Sequence, residues 1–103
     1  MQTVLSIDQV PIRVPDERWE HVALGHPEML NYKKEVLETL QLPDFVFEGN
    51  SKEKIAVRDY LSNFGKLIVV VYRESTRDEG FLITSFLISK LDRLKNKKLL
   101  WRR

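Results

Sequence analysis

No cysteine occurs in this chain. That excludes disulfide scaffolds, thiolate nucleophiles and cysteine-ligated zinc, and it fits a reducing, cytoplasmic setting. Histidine is almost as scarce, with His21 and His26 alone. Long apolar runs are missing too. The longest, Leu67 to Tyr72, falls far short of the roughly 20 residues of a membrane helix, so no membrane association is expected. The opening MQTVLSIDQV has neither a basic n-region nor an apolar h-region, and no signal peptide is expected from it. No repeat, low-complexity segment or internal linker is visible.

What remains is one domain with its own core. The 103 residues are 43% hydrophobic, enough for burial without disulfide support, and 31% charged, enough for a solvated surface. Net charge is only +2, but it is unevenly spread. Residues 1–49 carry four Lys/Arg against nine Asp/Glu, and residues 50–103 carry thirteen against six. The final LKNKKLLWRR holds five positive charges and no acid. An acidic front and a basic back point to an anionic partner for the back half, although a basic tail also serves solubility.

The hydrophobic period predicts the elements. Val4, Ile7, Val10 and Ile12 alternate loosely, Asp8-Gln9 can turn a small hairpin, and Pro11 would confine that piece to a sheet edge. Pro15-Asp16-Glu17 predicts a helix start with Asp16 as its cap. Trp19, Val22, Ala23 and His26 then share one face, and Gly25 with Pro27 stops the helix near His26. Glu28 to Leu42 predicts a second helix.

From Phe45 the period changes from 3.6 to 2. Strands are predicted over 45–47, 55–61, 66–73 and 81–88. Ile55, Val57, Asp59 and Leu61 fall on one face, and Ala56, Arg58 and Tyr60 on the other. A helical turn over 89–94 and a last short strand over 99–102 follow. Helices first and closely spaced strands after them predict an α+β fold. In it, two N-terminal helices pack on one face of a curved, roughly four-stranded antiparallel sheet. Within the single domain 1–103 these are an extended segment 1–14, helices 15–42, sheet 44–88 and a basic tail 89–103.

The candidate chemistry centres on His21 and His26, because imidazole exchanges a proton near neutral pH. Their i, i+5 spacing, with Pro27 directly after His26, does not suit a helical metal pair, so neither a metal nor a cofactor is expected. Arg58 and Arg73 offer guanidinium groups matched to phosphate, and Thr84 and Ser85 interrupt the apolar FLITSFLI with hydroxyls that can donate to a phosphoryl oxygen. Such a set around one phosphate is what metal-free RNA cleavage requires. A base takes the 2′-hydroxyl proton, cations hold the phosphate, and an acid protonates the leaving 5′-oxygen. Tyr60 could stack on a base, and Lys66 adds a cation at the start of its strand. Each residue also has a plain structural reading, in core packing or a solvated face.

The segments RWEHVALGHPEM, EVLETLQLPDFVFEG, KIAVRDYL, GKLIVVVYRE and DEGFLITSFLISK, in that order over about residues 13 to 90, resemble the barnase–EndoU–colicin–RelE nuclease superfamily and its phage-associated PBECR-type branch. The resemblance implies a metal-independent endoribonuclease that cleaves RNA by 2′-hydroxyl attack. It would be the toxin of a toxin–antitoxin or mobile-element system, with RNA as substrate and a protein antitoxin as partner. It implies catalytic roles for His21 or His26, for Thr84, and for Arg58 or else Arg73 as the basic strand residue; beside these, substrate contacts are expected from Arg73, Lys66, Tyr60 and Ser85. Two other readings stand beside it. One is a non-catalytic module that holds RNA or protein with its sheet and basic tail. The other is an adaptor that pairs a partner strand along an exposed sheet edge.

Overall fold

The computed structural model describes residues 2–103. The β-branched run Lys66–Glu74 forms β5 of the numbering used below, the middle strand of the sheet, and it is apolar on both faces because both faces are covered. Phe45–Glu48 (β3), Lys54–Tyr60 (β4), Lys66–Glu74 (β5) and Gly80–Ile88 (β6) run as an antiparallel meander. Three more strands extend it. Gln2–Leu5 (β1) and Pro11–Val14 (β2) form a hairpin whose turn contains Gln9 at φ 65°. Leu99–Arg102 (β7) pairs with β3.

The sheet therefore corrects the four-stranded antiparallel expectation. It has seven strands in the order β1-β2-β6-β5-β4-β3-β7, and it is mixed, because β2 runs parallel to β6. The physical reason is that a bare meander leaves two open edges, and the two chain ends supply short extended segments that cover them. Pro11 is not on an edge strand. It opens β2, whose pairing with β6 begins one residue later at Ile12, so its missing N–H breaks no ladder bond.

Asp16–Gly25 (α1) and Lys33–Gln41 (α2) lie on one face, joined by a 3-10 turn over Pro27–Tyr32 rather than by continuous helix. Pro15, not Asp16, occupies the cap position of α1, and no side chain caps it. A third short helix, Leu61–Phe64 (α3), fills the β4–β5 connection and ends on Gly65 at φ 78°, a left-handed position that favours glycine.

Trp19, Val22, Met29, Val36 and Leu40 pack from the helices against Ile12, Val14, Ala56, Tyr60, Ile68, Val70, Tyr72 and Leu82. On the other face Phe47, Ile55, Val57, Leu67, Val69 and Ile88 meet Leu94, carried by a 3-10 turn over Leu91–Leu94. Among the described residues no helix is long and apolar enough to cross a membrane.

Candidate functional site

Two local irregularities build the most suggestive cluster. The first is at the end of α1. His26 precedes Pro27, which bars it from the helical region, and its backbone sits at φ −138°, ψ 76°. It is nevertheless pinned on both sides. Its N–H donates to Val22 O at 2.8 Å, and its carbonyl accepts from Met29 N–H at 2.9 Å. The side chain is held at an angle set by this turn. Its ring lies against Phe86 with centroids 5.6 Å apart, and Nδ1 stands 3.5 Å from Oε2 of Glu28.

The second irregularity is in β6. Val71 pairs with Thr84 but Tyr72 pairs with Leu82, so Ile83 is an extra, bulged residue. The bulge flips the alternation. Leu82 joins the helix-side core, whereas Phe86 and Ile88 belong to the opposite cluster. Thr84 and Leu82 therefore face opposite sides of the sheet, although unbroken strand alternation would put them on one. Thr84 shares its face with Phe86 and the 3-10 turn that carries Arg93.

The strand β2 pairs with β6 only at Gly80 and Phe81, so the rest of that flank has no strand beside it. There α1 and the Pro27–Tyr32 turn pack instead. The result is an open pocket of about 400 Å³ lined by His26, Glu28, Thr84, Phe86, Leu87 and Arg93. His26 is half-buried, while Glu28 and Arg93 stay exposed.

The remaining expected residues lie elsewhere. His21 is exposed on α1 beside Pro15, Glu17 and Arg18, in a different depression, so the two histidines do not form a pair. Arg58 is on the helix side of β4. Its guanidinium donates to the carbonyl of Leu42, its Nε is 3.6 Å from Glu38, and it lies over the Tyr60 ring. It ties down the end of α2 and does not reach the Thr84 pocket. Tyr60 is buried, with its hydroxyl on the Glu38 carboxylate and its ring stacked on Phe64. Burial and that carboxylate push its hydroxyl above the ordinary phenol range.

Ser85 is fully buried and donates to Val69 O at 2.7 Å. Arg73 donates to Ser51 O at 2.8 Å, at the far end of β5. Lys66 donates to Ser89 Oγ at 2.8 Å. Of the expected set, then, only His26 and Thr84 come together. Arg93 was not anticipated, and the only signal for it in the chain is the basic character of the second half. Among the described residues no cluster of His, Asp or Glu has the makings of a metal site.

A second polar cluster is structural. Ser6 Oγ donates to Glu74 at 2.6 Å, and Lys54 bridges Glu74 and Asp8. It fastens the β1–β2 turn over the ends of β4 and β5. Burial pulls the Lys54 ammonium downward, but hydrogen bonds to the Asp8 and Glu74 carboxylates outweigh it and hold the group above its usual range. Comparison with known protein families, curated proteins and solved structures finds no match to this chain.

Proposed function

We propose that the pocket beside β6 takes an RNA phosphodiester and cleaves it without a metal, as an endoribonuclease of toxin type. One juxtaposition supports this reading. His26, Thr84 and Arg93 line a single open pocket although they come from a helix end, a bulged strand and a late turn. Glu28 occupies the Nδ1 side of the imidazole, which leaves Nε2 for substrate.

In the proposed step Nε2 takes the proton of a ribose 2′-hydroxyl. The 2′-oxygen attacks phosphorus, and the bond from phosphorus to the 5′-oxygen breaks. The leaving oxygen takes a proton from water, and the imidazolium returns its own to solvent. The products are a 2′,3′-cyclic phosphate and a 5′-hydroxyl. Arg93 pairs with the non-bridging oxygens, and the Thr84 hydroxyl donates to them as negative charge builds. His21, Arg58 and Ser85 have no part in this step.

One observation favours the alternative, a non-catalytic binding module of the same fold. A single histidine lines the pocket, so no imidazolium stands opposite the base to protonate the leaving group. Incubation of purified protein with RNA in EDTA separates the two. Fragments ending in cyclic phosphate, absent with His26→Ala, support the nuclease. Intact RNA retained by the wild type and released by Arg93→Ala supports the binding module.

A further inference from the structure

The strand β7 is the outermost strand of the sheet, separated from β6 and its pocket by β5, β4 and β3. All four of its residues are exposed, and three are large apolar side chains: Leu99 (45%), Leu100 (40%) and Trp101 (36%). Its backbone has a defined polarity. The Lys98 carbonyl accepts from Glu48 N–H at 2.9 Å, and Arg103 N–H donates to the Asp44 carbonyl at 3.0 Å, so both residues turn their backbone toward β3. Successive residues of a strand alternate in this respect, and a bulge at Leu100 resets the phase between Lys98 and Arg103, so their neighbours Leu99 and Arg102 turn theirs outward.

The flanks of this edge are cationic. Arg103 meets Asp44 at 3.3 Å and Lys97 meets Asn50 at 2.8 Å, but among the described residues no acid bridges Lys98 or Arg102. The edge is short and bulged at Leu100, and the flanking charges blunt it further, yet its apolar side chains stay uncovered.

We infer that β7 is a docking edge for an acidic, extended segment of a partner protein, which adds as an eighth strand. Outward backbone groups at Leu99 and Arg102 supply the ladder bonds, the Leu–Leu–Trp run supplies apolar contact, and Lys98 with Arg102 selects for carboxylates. A second copy of this chain is a poor occupant. Antiparallel β7–β7 pairing sets Lys97 and Lys98 against Arg102 and Arg103, and like charges directly opposite destabilise a ladder. The other free edge, β1, carries no charge over Gln2–Leu5 to complement it. Trp101 offers one ring for a base to stack on but Leu99 and Leu100 offer none, and the oligouridylate control below tests that occupant.

The test is residue-resolved amide exchange on the whole chain during titration with a short peptide alternating Glu and Val. Its Lys–Val counterpart and a single-stranded oligouridylate serve as controls. The expected result is saturable binding of the acidic peptide alone, with new protection of the Leu99 and Arg102 amides. Arg102→Pro deletes one outward donor and should weaken binding roughly tenfold. Arg102→Gln, which keeps the N–H and loses only an exposed charge, should weaken it roughly threefold. If the Arg103 amide loses protection in Arg102→Pro, the strand has detached, and Leu99→Pro carries the comparison instead. Protection by the oligouridylate, protection that rises with protein concentration alone, or equal affinity of the Pro and Gln variants each overturns the inference.

Discussion

Nδ1 of His26 stands 3.5 Å from the Glu28 carboxylate across a single proline, with the Phe86 ring behind the imidazole. Both side chains are substantially exposed, so this pair contributes at most about 1 kcal/mol to stability. Its value on the present account is orientation. Glu28→Gln is expected to leave the melting temperature unchanged and to lower kcat roughly tenfold, with KM little altered, because a loosened ring spends less time aimed at the substrate. Parallel melting curves and RNA-cleavage kinetics check this. A lower melting temperature with unchanged kcat would make the contact structural only.

Arg93 is the one pocket cation assigned to phosphate. Arg93→Ala is expected to raise KM for RNA, and the salt dependence of binding should become shallower by about one phosphate contact. Arg93→Lys should recover only part of the loss, since an ammonium cannot make the paired bonds of a guanidinium. Arg58→Ala should behave differently. It frees the Leu42 carbonyl and lowers thermal stability, but RNA affinity measured below the melting transition should be retained. Filter binding at several salt concentrations distinguishes the two arginines.

Gly80 holds the joint between β2 and β6. A Cβ there would lie 2.5 Å from Ile12 Cδ1 and 2.7 Å from the Arg73 carbonyl. Ile12 is fully buried and cannot swing away. Gly80→Ala is therefore expected to cost about 1–3 kcal/mol, read as a lower urea midpoint. Gly25→Ala, where a Cβ meets nothing within 4 Å, is the matched control and should cost nothing.

Alkaline pH should unfasten the β1–β2 turn. Burial lifts the Tyr72 hydroxyl above the ordinary phenol range, and Glu74 and Asp8 push the same way. Tyr60 and Lys54 are raised as well. In each case the fold holds its proton more tightly than the unfolded chain does. The stability they contribute is complete below about pH 10 and falls as pH rises through the folded values. Urea midpoints should thus decline steeply above about pH 10, and less steeply in Tyr72→Phe. Phenolate absorbance of Tyr72 at a pH where the protein is still fully folded would contradict this.

The inner strands were legible because their apolar runs are long and β-branched, as in Lys66–Glu74, where the only consistent position is a doubly covered strand. The outer strands were legible as elements, in the hairpin around Asp8-Gln9 and the strand over 99–102, but their place in the sheet was not, because four residues such as Pro11–Val14 carry little pattern and their pairing is decided by which edge is open. A Pro at the head of β2 reads as an edge signal, and nothing local reveals that the ladder starts one residue later. The bulge at Ile83 was equally hidden, since FLITSFLI is apolar on both of its faces and does not betray a change of phase.

The site was legible in part for the same reason. His26 stands out through the Gly25-His26-Pro27 stop, and Thr84 through its hydroxyl, but their meeting with Arg93 is a product of tertiary packing at an uncovered strand flank. Arg58 looked like a phosphate ligand because strand alternation leaves its partner unknown. That partner is the end of α2.

The central claim is that His26, and not His21, carries RNA cleavage. The most direct measurement compares wild type, His26→Ala and His21→Ala on total RNA in EDTA, with folding checked by circular dichroism. Discrete fragments are expected from wild type and His21→Ala, with a loss of about 10²- to 10⁴-fold in rate for His26→Ala. Equal cleavage by all three proteins, or loss with His21→Ala alone, would contradict it.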